Sequence, residues 1–318
     1  MRISIVLPCY NESANIAELH QRLDQVAGRI DGEVEFVFVD DGSRDDTLAL
    51  LKEVARNDPR VRVLGLSRNF GHQAALTAGL DYATGDAVVV MDADLQHPPE
   101  LILDFITKWR EGYDLVYAYR EGVRPRLGYR IINALMKVRI PPEAADFRLM
   151  DRRLVEAFKA MPERARFIRG MISWLGFRQI GLGYRQGERF AGRRSYTLRQ
   201  TARMAFNAVL AFSSLPLRVA SVLGTCTLVL ALLYAAFSLY AWARGATLPG
   251  WTGLMMAVLV LGGVQLLCLG IIAEYIGRIF EEVKQRPLYV VREHIPPRFT
   301  ARAVNGADHL EWAAGRPT

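Results

Sequence analysis

The stretch VVVMDADLQHPPE, residues 88 to 100, ends an apolar run on two aspartates one residue apart. A carboxylate leaving a buried strand is costly unless water, hydrogen bonds or a cation meets it. In extended backbone residues i and i+2 share a face, so Asp92 and Asp94 can point together, with Gln96 as a further oxygen donor if the extension persists. Two hard oxygen ligands suit Mg²⁺ or Mn²⁺, which take carboxylates, waters and phosphate oxygens. Alone the pattern is also that of a turn or a helix cap. His97 is either a further ligand or a loop residue before Pro98-Pro99.

Three other polar clusters accompany it: PCYNE at 8–12, DDGSRDDT at 40–47 and SRNFGH at 67–72. Tyr10 offers a stacking face and Glu12 an acceptor, although Asn11 and Ser13 also suit a plain turn and cap. Asp45 or Asp46 can cap a helix that starts at Thr47, which leaves Asp40 and Asp41 to accept from a ribose or a base. Gly71 marks a tight turn or a close backbone approach. There is no G-x-G-x-x-G, no G-x-x-x-x-G-K-[ST], and no evident Ser-His-Asp or Cys-His set.

The elements that must position these clusters are strands over 3–7, 35–39, 61–66, 87–91 and 114–118, with helices over 15–28, 45–56 and 71–83. Strand–helix alternation predicts an α/β fold, a doubly wound and mostly parallel sheet with helices on both faces. Ligands of such sheets sit beyond the carboxyl ends of the strands, and each cluster follows a strand.

At 318 residues and 51% apolar, the chain has room for about two domains. The net charge of +7 is uneven, with twenty Lys/Arg against seven Asp/Glu between Arg120 and Arg203, which predicts a negatively charged partner. Beyond Pro216 the composition changes. Residues 219–243 form an uncharged run long enough to cross a bilayer, and 252–275 form a second span, uncharged up to Glu274 at its very end. Arg199, Arg203 and Arg218 precede the first span and Arg278, Lys284 and Arg286 follow the second, while Arg244 alone is charged in the turn. The positive-inside rule then predicts both termini in the cytoplasm and a protein of the inner membrane with two spans. The apolar start after Arg2 is too short for a signal-peptide core. Residues 1–196 are expected to be the catalytic domain, 197–218 an amphipathic interfacial helix or an ordinary core helix, and 276–318 a cytoplasmic tail. Cys9, Cys226 and Cys268 are too scattered for a disulfide framework.

VLPCYNE, VDDGSRDDT, LSRNFGHQAALTAGLDYATGD and MDADLQHPPELI resemble the family-2 inverting glycosyltransferases of the GT-A fold. ADFRLMDRR, RFIRGMISWLGF, RFAGRRSY and GGVQLLCLGIIAEYIGRIFEEVKQRP look more narrowly like the polyprenyl-phosphate glycosyltransferases with two C-terminal membrane helices, relatives of bactoprenol glucosyltransferases and dolichol-phosphate mannose synthases. The resemblance implies a nucleotide-sugar donor, a polyprenyl phosphate acceptor, Mg²⁺ or Mn²⁺, and a homo-oligomer. Carried onto this chain, Pro8, Tyr10, Glu12, Asp41 and Asp92 would hold the nucleotide, and Asp92, Asp94 and Gln96 the ion. Asp94 and Asp146 would be catalytic, Asp146 as general base or as the residue that orients Arg148. Arg120, Arg130, Arg148, Arg189 and Ser195 would bind phosphates, Arg by its fork of donors. Relatives commonly carry Lys where this chain has His72 and often Asp where it has His97. A chain-extending polysaccharide synthase would need a Q-x-x-R-W motif, of which QTARM is only an echo. Nucleic-acid binding would account for the basic excess but not for two spans or the acidic strand ends.

Overall fold

A computed structural model describes residues 1–121, 144–164, 166–184, 215–244 and 250–298. Strands β1 (Arg2–Cys9) and β2 (Glu33–Asp40) are nearly continuous apolar runs, as strands covered on both faces must be. They pair in parallel from Arg2 opposite Glu33 to Cys9 opposite Asp40. Parallel β3 (Val61–Leu66) flanks β2, and parallel β4 (Ala87–Val90) flanks β1. With β5 (Leu115–Arg120), β6 (Ala144–Asp151), β7 (Gln179–Tyr184) and β8 (Val291–Ile295), the sheet has the order β7-β5-β6-β4-β1-β2-β3-β8. β6 runs antiparallel to β4 and β5, and β8 antiparallel to β3.

Helices α1 (Ile16–Ala27), α2 (Thr47–Asn57) and α4 (Leu101–Arg110) bury Leu19, Leu23, Leu51, Ile102 and Phe105 on one face of the sheet, against Ile3, Ile5, Leu7, Phe36 and Phe38. Helices α3 (His72–Tyr82), α5 (Arg152–Lys159) and α6 (Ile168–Trp174) bury Leu76, Leu80, Leu154, Phe158 and Met171 on the other, against Val6, Val37, Val39 and Val90. This is the α/β architecture expected from the alternation of strands and helices. The added finding is a mixed sheet: β6, β7 and β8 carry charged or small residues and owe their pairing to neighbours brought in by the fold.

Two long apolar helices follow, α7 (Leu215–Ala243) and α8 (Trp251–Val283). Their apolar stretches Leu217–Ser238 and Met256–Val283 each suffice to cross the hydrocarbon core. Leu232, Leu233, Phe237, Leu266, Leu267 and Ile279 are exposed, which a soluble core helix would not allow. The helices pair as a hairpin, with Cys268 Sγ 3.4 Å from the carbonyl oxygen of Ala220. Helix α7 begins before the expected 219, since Pro216 is tolerated in a first turn where its missing N–H has no partner to lose. Helix α8 runs past 275 to Val283. Residues 197–214 of the expected interfacial helix lie outside the described residues, and 215–218 belong to α7.

The chain then returns to the sheet, and the segment expected as a tail is in part a strand. β8 covers the β3 edge, Ser67 N–H donates to the carbonyl of Val290 at 2.8 Å, and Arg298 donates to the carbonyls of Pro59, Ala55 and Arg56. At the end of α8, Glu282 accepts the amide of Arg164 at 3.0 and 3.1 Å. The C-terminal end of α8 and the segment that follows it are therefore fastened to the sheet domain.

Candidate active site

The loops after β1, β2 and β3 interlock before they offer anything to a ligand. Asn11, with φ 54°, accepts from Arg44 N–H at 2.9 Å, and its own N–H reaches Ser43 Oγ at 3.0 Å. Glu12 N–H donates to Thr47 Oγ1 at 2.9 Å, and its carboxylate accepts from Asn15. Asp45 caps α2 by accepting the Thr47 amide and hydroxyl. Pro8 is buried at the end of β1, and Tyr10 beyond it is exposed, ring free for stacking.

Asp41 is buried and ties two of these loops together. Its Oδ1 accepts the Phe70 amide at 2.7 Å and its Oδ2 the Gly71 amide at 2.9 Å. Burial pushes its carboxyl up, while those amides and His72 pull the other way. Gly42 beside it has φ 65°, and a Cβ there would collide with the Arg68–Asn69 peptide. Gly71, at φ 99°, hands the chain into α3 so that His72 heads the helix at the sheet's carboxyl end.

β4 stops at Val90, and the extended backbone assumed for Asp92, Asp94 and Gln96 does not persist. The chain turns at Leu95 with φ 60°. Gln96 folds back instead, its N–H on Asp94 Oδ1 at 3.1 Å and its amide Nε2 on Asp94 Oδ2 at 2.6 Å. Asp92 meets two imidazoles, with His72 Nε2 at 3.6 Å and His97 Nδ1 at 3.9 Å. His97 is buried, stacked on Phe147 at 5.2 Å and edge-on to Tyr184 at 5.8 Å. Its Nδ1 has no hydrogen-bond partner among the described residues. Burial raises the Asp92 carboxyl and lowers the His97 imidazole, each opposed by the charge of the other.

Antiparallel pairing sets Val90 opposite Arg148 near the end of β4, and His72 Nε2 lies within 4 Å of both Asp92 and Asp146, so the two carboxylates share one site. Asp146 is on strand β6. Its Oδ1 accepts from Arg148 Nη2 at 2.8 Å, and Arg169 on α6 binds it in a fork, Nε to Oδ1 and Nη2 to Oδ2, both at 2.8 Å. His72 Nε2 stands 3.8 Å from Oδ2. Burial alone would raise Asp146, but Arg169, Arg148 and His72 hold it well below the usual carboxylate range. Arg120 ends β5 on the same side, its Nε 3.4 Å from the Tyr184 hydroxyl.

The structure thus brings Asp92, Asp146, Arg148, His72 and His97 together, with Asp94 and Gln96 in the adjoining turn and Arg120 at the neighbouring strand end. Arg130, Arg189 and Ser195 lie outside the described residues. Arg169 was not singled out in the sequence, where it is one basic residue among twenty; only its place in RFIRGMISWLGF could have marked it. Among the described residues no three His, Cys, Asp or Glu side chains converge as a closed metal cage. Asp92 and Asp94 offer carboxylate oxygens of the kind a hard ion takes when waters and substrate phosphates fill its remaining positions.

The model of the Glycosyl transferase family 2 domain matches residues 4–158, and that of the GtrB C-terminal hairpin matches 215–279. A Synechocystis protein described as an uncharacterized glycosyltransferase is 43% identical over 303 residues, 92% of this chain and 95% of that one. The chain belongs to glycosyl transferase family 2. Another member, the bactoprenol glucosyl transferase of Shigella phage SfII, is 38% identical over 92% of this chain and 98% of its own. Mannosyl-3-phosphoglycerate synthase from Rubrobacter xylanophilus, 21% identical with a TM-score of 0.52 over 66% of this chain and 72% of that one, shares the fold. The family-2 domain has the GT-A architecture expected from its motifs, and the hairpin makes this glycosyltransferase a membrane-anchored one.

Proposed function

We propose that this glycosyltransferase moves a hexose, with inversion, from a nucleotide diphosphate sugar of the UDP type to a polyprenyl phosphate at the cytoplasmic face of the inner membrane. The observation that carries this is a carboxylate pair at the end of β4, set against a cluster of arginines, in a domain tied directly to an apolar hairpin. The bactoprenol glucosyl transferases among its relatives support the lipid acceptor.

In this reading an oxygen of the lipid phosphate attacks the anomeric carbon as that carbon's bond to the donor's β-phosphate oxygen breaks. The products are a polyprenyl phosphosugar and a nucleoside diphosphate. Mg²⁺ or Mn²⁺ held by Asp92 and Asp94 would supply Lewis-acid relief of charge on the departing diphosphate. Gln96 holds the Asp94 carboxylate by two donors and so sets its direction. Tyr10 is available to stack on the base, while Asp41, through Phe70 and Gly71, holds the wall of the nucleotide pocket. Arg120 and Arg148 contribute positive charge on the phosphate side.

The basic residues flanking the hairpin, against a single Arg244 in the turn, support a cytoplasmic sheet domain. The test is a panel of UDP- and GDP-hexoses with undecaprenyl phosphate and Mg²⁺ or Mn²⁺, using Asp94→Ala as control. Metal-dependent formation of a lipid-linked sugar supports the reading. Transfer to a growing polysaccharide, or to no lipid phosphate at all, would overturn it.

A further inference from the structure

We infer that Asp146 is a positioning residue, not the proton acceptor, and that it holds Arg148 and Arg169 as a paired cradle for the acceptor's phosphate. This rests on the polyprenyl phosphate reading above.

The geometry of the carboxylate is the first ground. A general base needs an accessible lone pair aimed at the proton it removes. Asp146 spends Oδ1 on two guanidinium donors and Oδ2 on a third, all at 2.8 Å. The fork from Arg169 is the bidentate arrangement in which a carboxylate fixes an arginine most firmly.

The acceptor's chemistry removes the need for a base. A phosphate monoester has a second pKa of about 6, so at neutral pH its attacking oxygen already carries charge. What the site must supply is a seat for a dianion. Arg148 and Arg169 bring two guanidiniums to that point, and His72 stands at its edge.

Location decides which phosphate. The Arg148 side chain is 5% exposed and that of Arg169 23%, so Arg169 is the member a substrate can reach. Arg169 lies on α6, whose preceding loop is fastened to the end of α8 through the Arg164 amide and Glu282. The first amide of α6, that of Ile168, donates to Gln73 on α3. The cradle therefore bridges the sheet's carboxyl end and a membrane-spanning helix, the side from which a lipid-borne phosphate arrives. The donor's diphosphate belongs with Asp92 and Asp94, one strand away.

The experiment uses the full chain in detergent with a short-chain polyprenyl phosphate, varying donor and acceptor separately and following the rate against pH. The wild-type arm tests the reading itself: no transfer to a prenyl phosphate from any donor overturns that function and the cradle with it. Given an active wild type, Asp146→Asn and Arg169→Lys should each raise the acceptor KM about tenfold or more, the order expected for loss of a charge-assisted hydrogen bond. Donor KM should move less than about twofold, and the acid limb near pH ~6, which belongs to the acceptor, should persist in Asp146→Asn. Nucleotide binding by calorimetry checks that each variant is folded, and Arg169→Lys decides the matter if Asp146→Asn fails that check. A fall in kcat of about 100-fold or more in Asp146→Asn, with acceptor KM unchanged and the acid limb lost, would make Asp146 the base and overturn the inference. Unchanged acceptor KM in Arg169→Lys would overturn the cradle.

Discussion

Tyr289 donates its hydroxyl to Asp81 Oδ2 at 2.7 Å, joining the segment that follows the second membrane helix to the last turn of α3. The same α3 begins at His72, in the candidate active site. Burial raises the Asp81 carboxyl, and burial together with Asp81 pushes the Tyr289 hydroxyl up, so this hydroxyl stays protonated as a donor. Tyr289→Phe should leave a half-buried carboxylate short of a donor and cost about 1 kcal/mol. Thermal unfolding of the full chain measures this; a midpoint unchanged from wild type would show that the contact contributes nothing.

Divalent ions should bind weakly to the protein alone and more tightly with UDP present, because two carboxylates leave most of an octahedral shell to water and phosphate. Titration calorimetry with Mn²⁺ follows both. Asp94→Ala should abolish the nucleotide-dependent gain, and Gln96→Ala should weaken it by freeing the Asp94 carboxylate. Equal Mn²⁺ affinity with and without UDP would refute the shared shell.

Gly42→Ala should be among the more disruptive single-methyl additions in this chain. The position combines a left-handed φ of 65° with direct collision against the Arg68–Asn69 peptide. Strain and overpacking of this kind cost about 1–3 kcal/mol each. The loop that would have to move is the one Asp41 holds, so donor KM should rise more than acceptor KM. A variant with wild-type stability and donor KM would contradict this packing.

Acid stability has an identifiable contributor at the other end of the sheet. Asp58 accepts from Arg60 and pairs with His20 at 2.9 Å, and although burial opposes it, these donors bring its carboxyl down to about 2. A depressed carboxylate stabilises the fold above its unfolded pKa of about 3.9 and loses that contribution as the pH falls through the folded value. Asp58→Asn should therefore be less stable than wild type at neutral pH, with the gap closing between about pH 4 and pH 2. A gap that stays constant over that range would rule out the linkage.

Membrane sidedness can be read with single cysteines. β8 pairs with β3, so the chain must re-emerge from α8 on the side of the sheet domain. An impermeant thiol reagent applied to intact cells should label a cysteine placed at Ala246, between α7 and α8 in the sequence, and spare one placed at Arg298. The reverse pattern would put the catalytic domain outside.

The parallel half of the sheet was legible in the sequence because its strands are buried on both faces and its helices carry regular apolar stripes. The two spans were legible because a bilayer demands long uncharged runs, and no tertiary contact is needed to recognise one. Strand-end acids at Asp41, Asp92 and Asp94 could be named from their types alone. Their working arrangement could not. An extended-backbone argument put Gln96 alongside the aspartates as a carbonyl donor, whereas the turn at Leu95 presents its amide nitrogen to Asp94. β6 is too polar to announce itself, yet its antiparallel register is what carries Asp146 to Asp92. Arg169 meets Asp146 from 23 residues away, and β8 meets β3 across the whole membrane hairpin. The sequence by itself determined the element types and the chemistry available, because periodicity, burial and ligand hardness are local properties of residue types. The tertiary structure alone decided which charges meet, because the approach of side chains distant in sequence depends on strand register and helix packing.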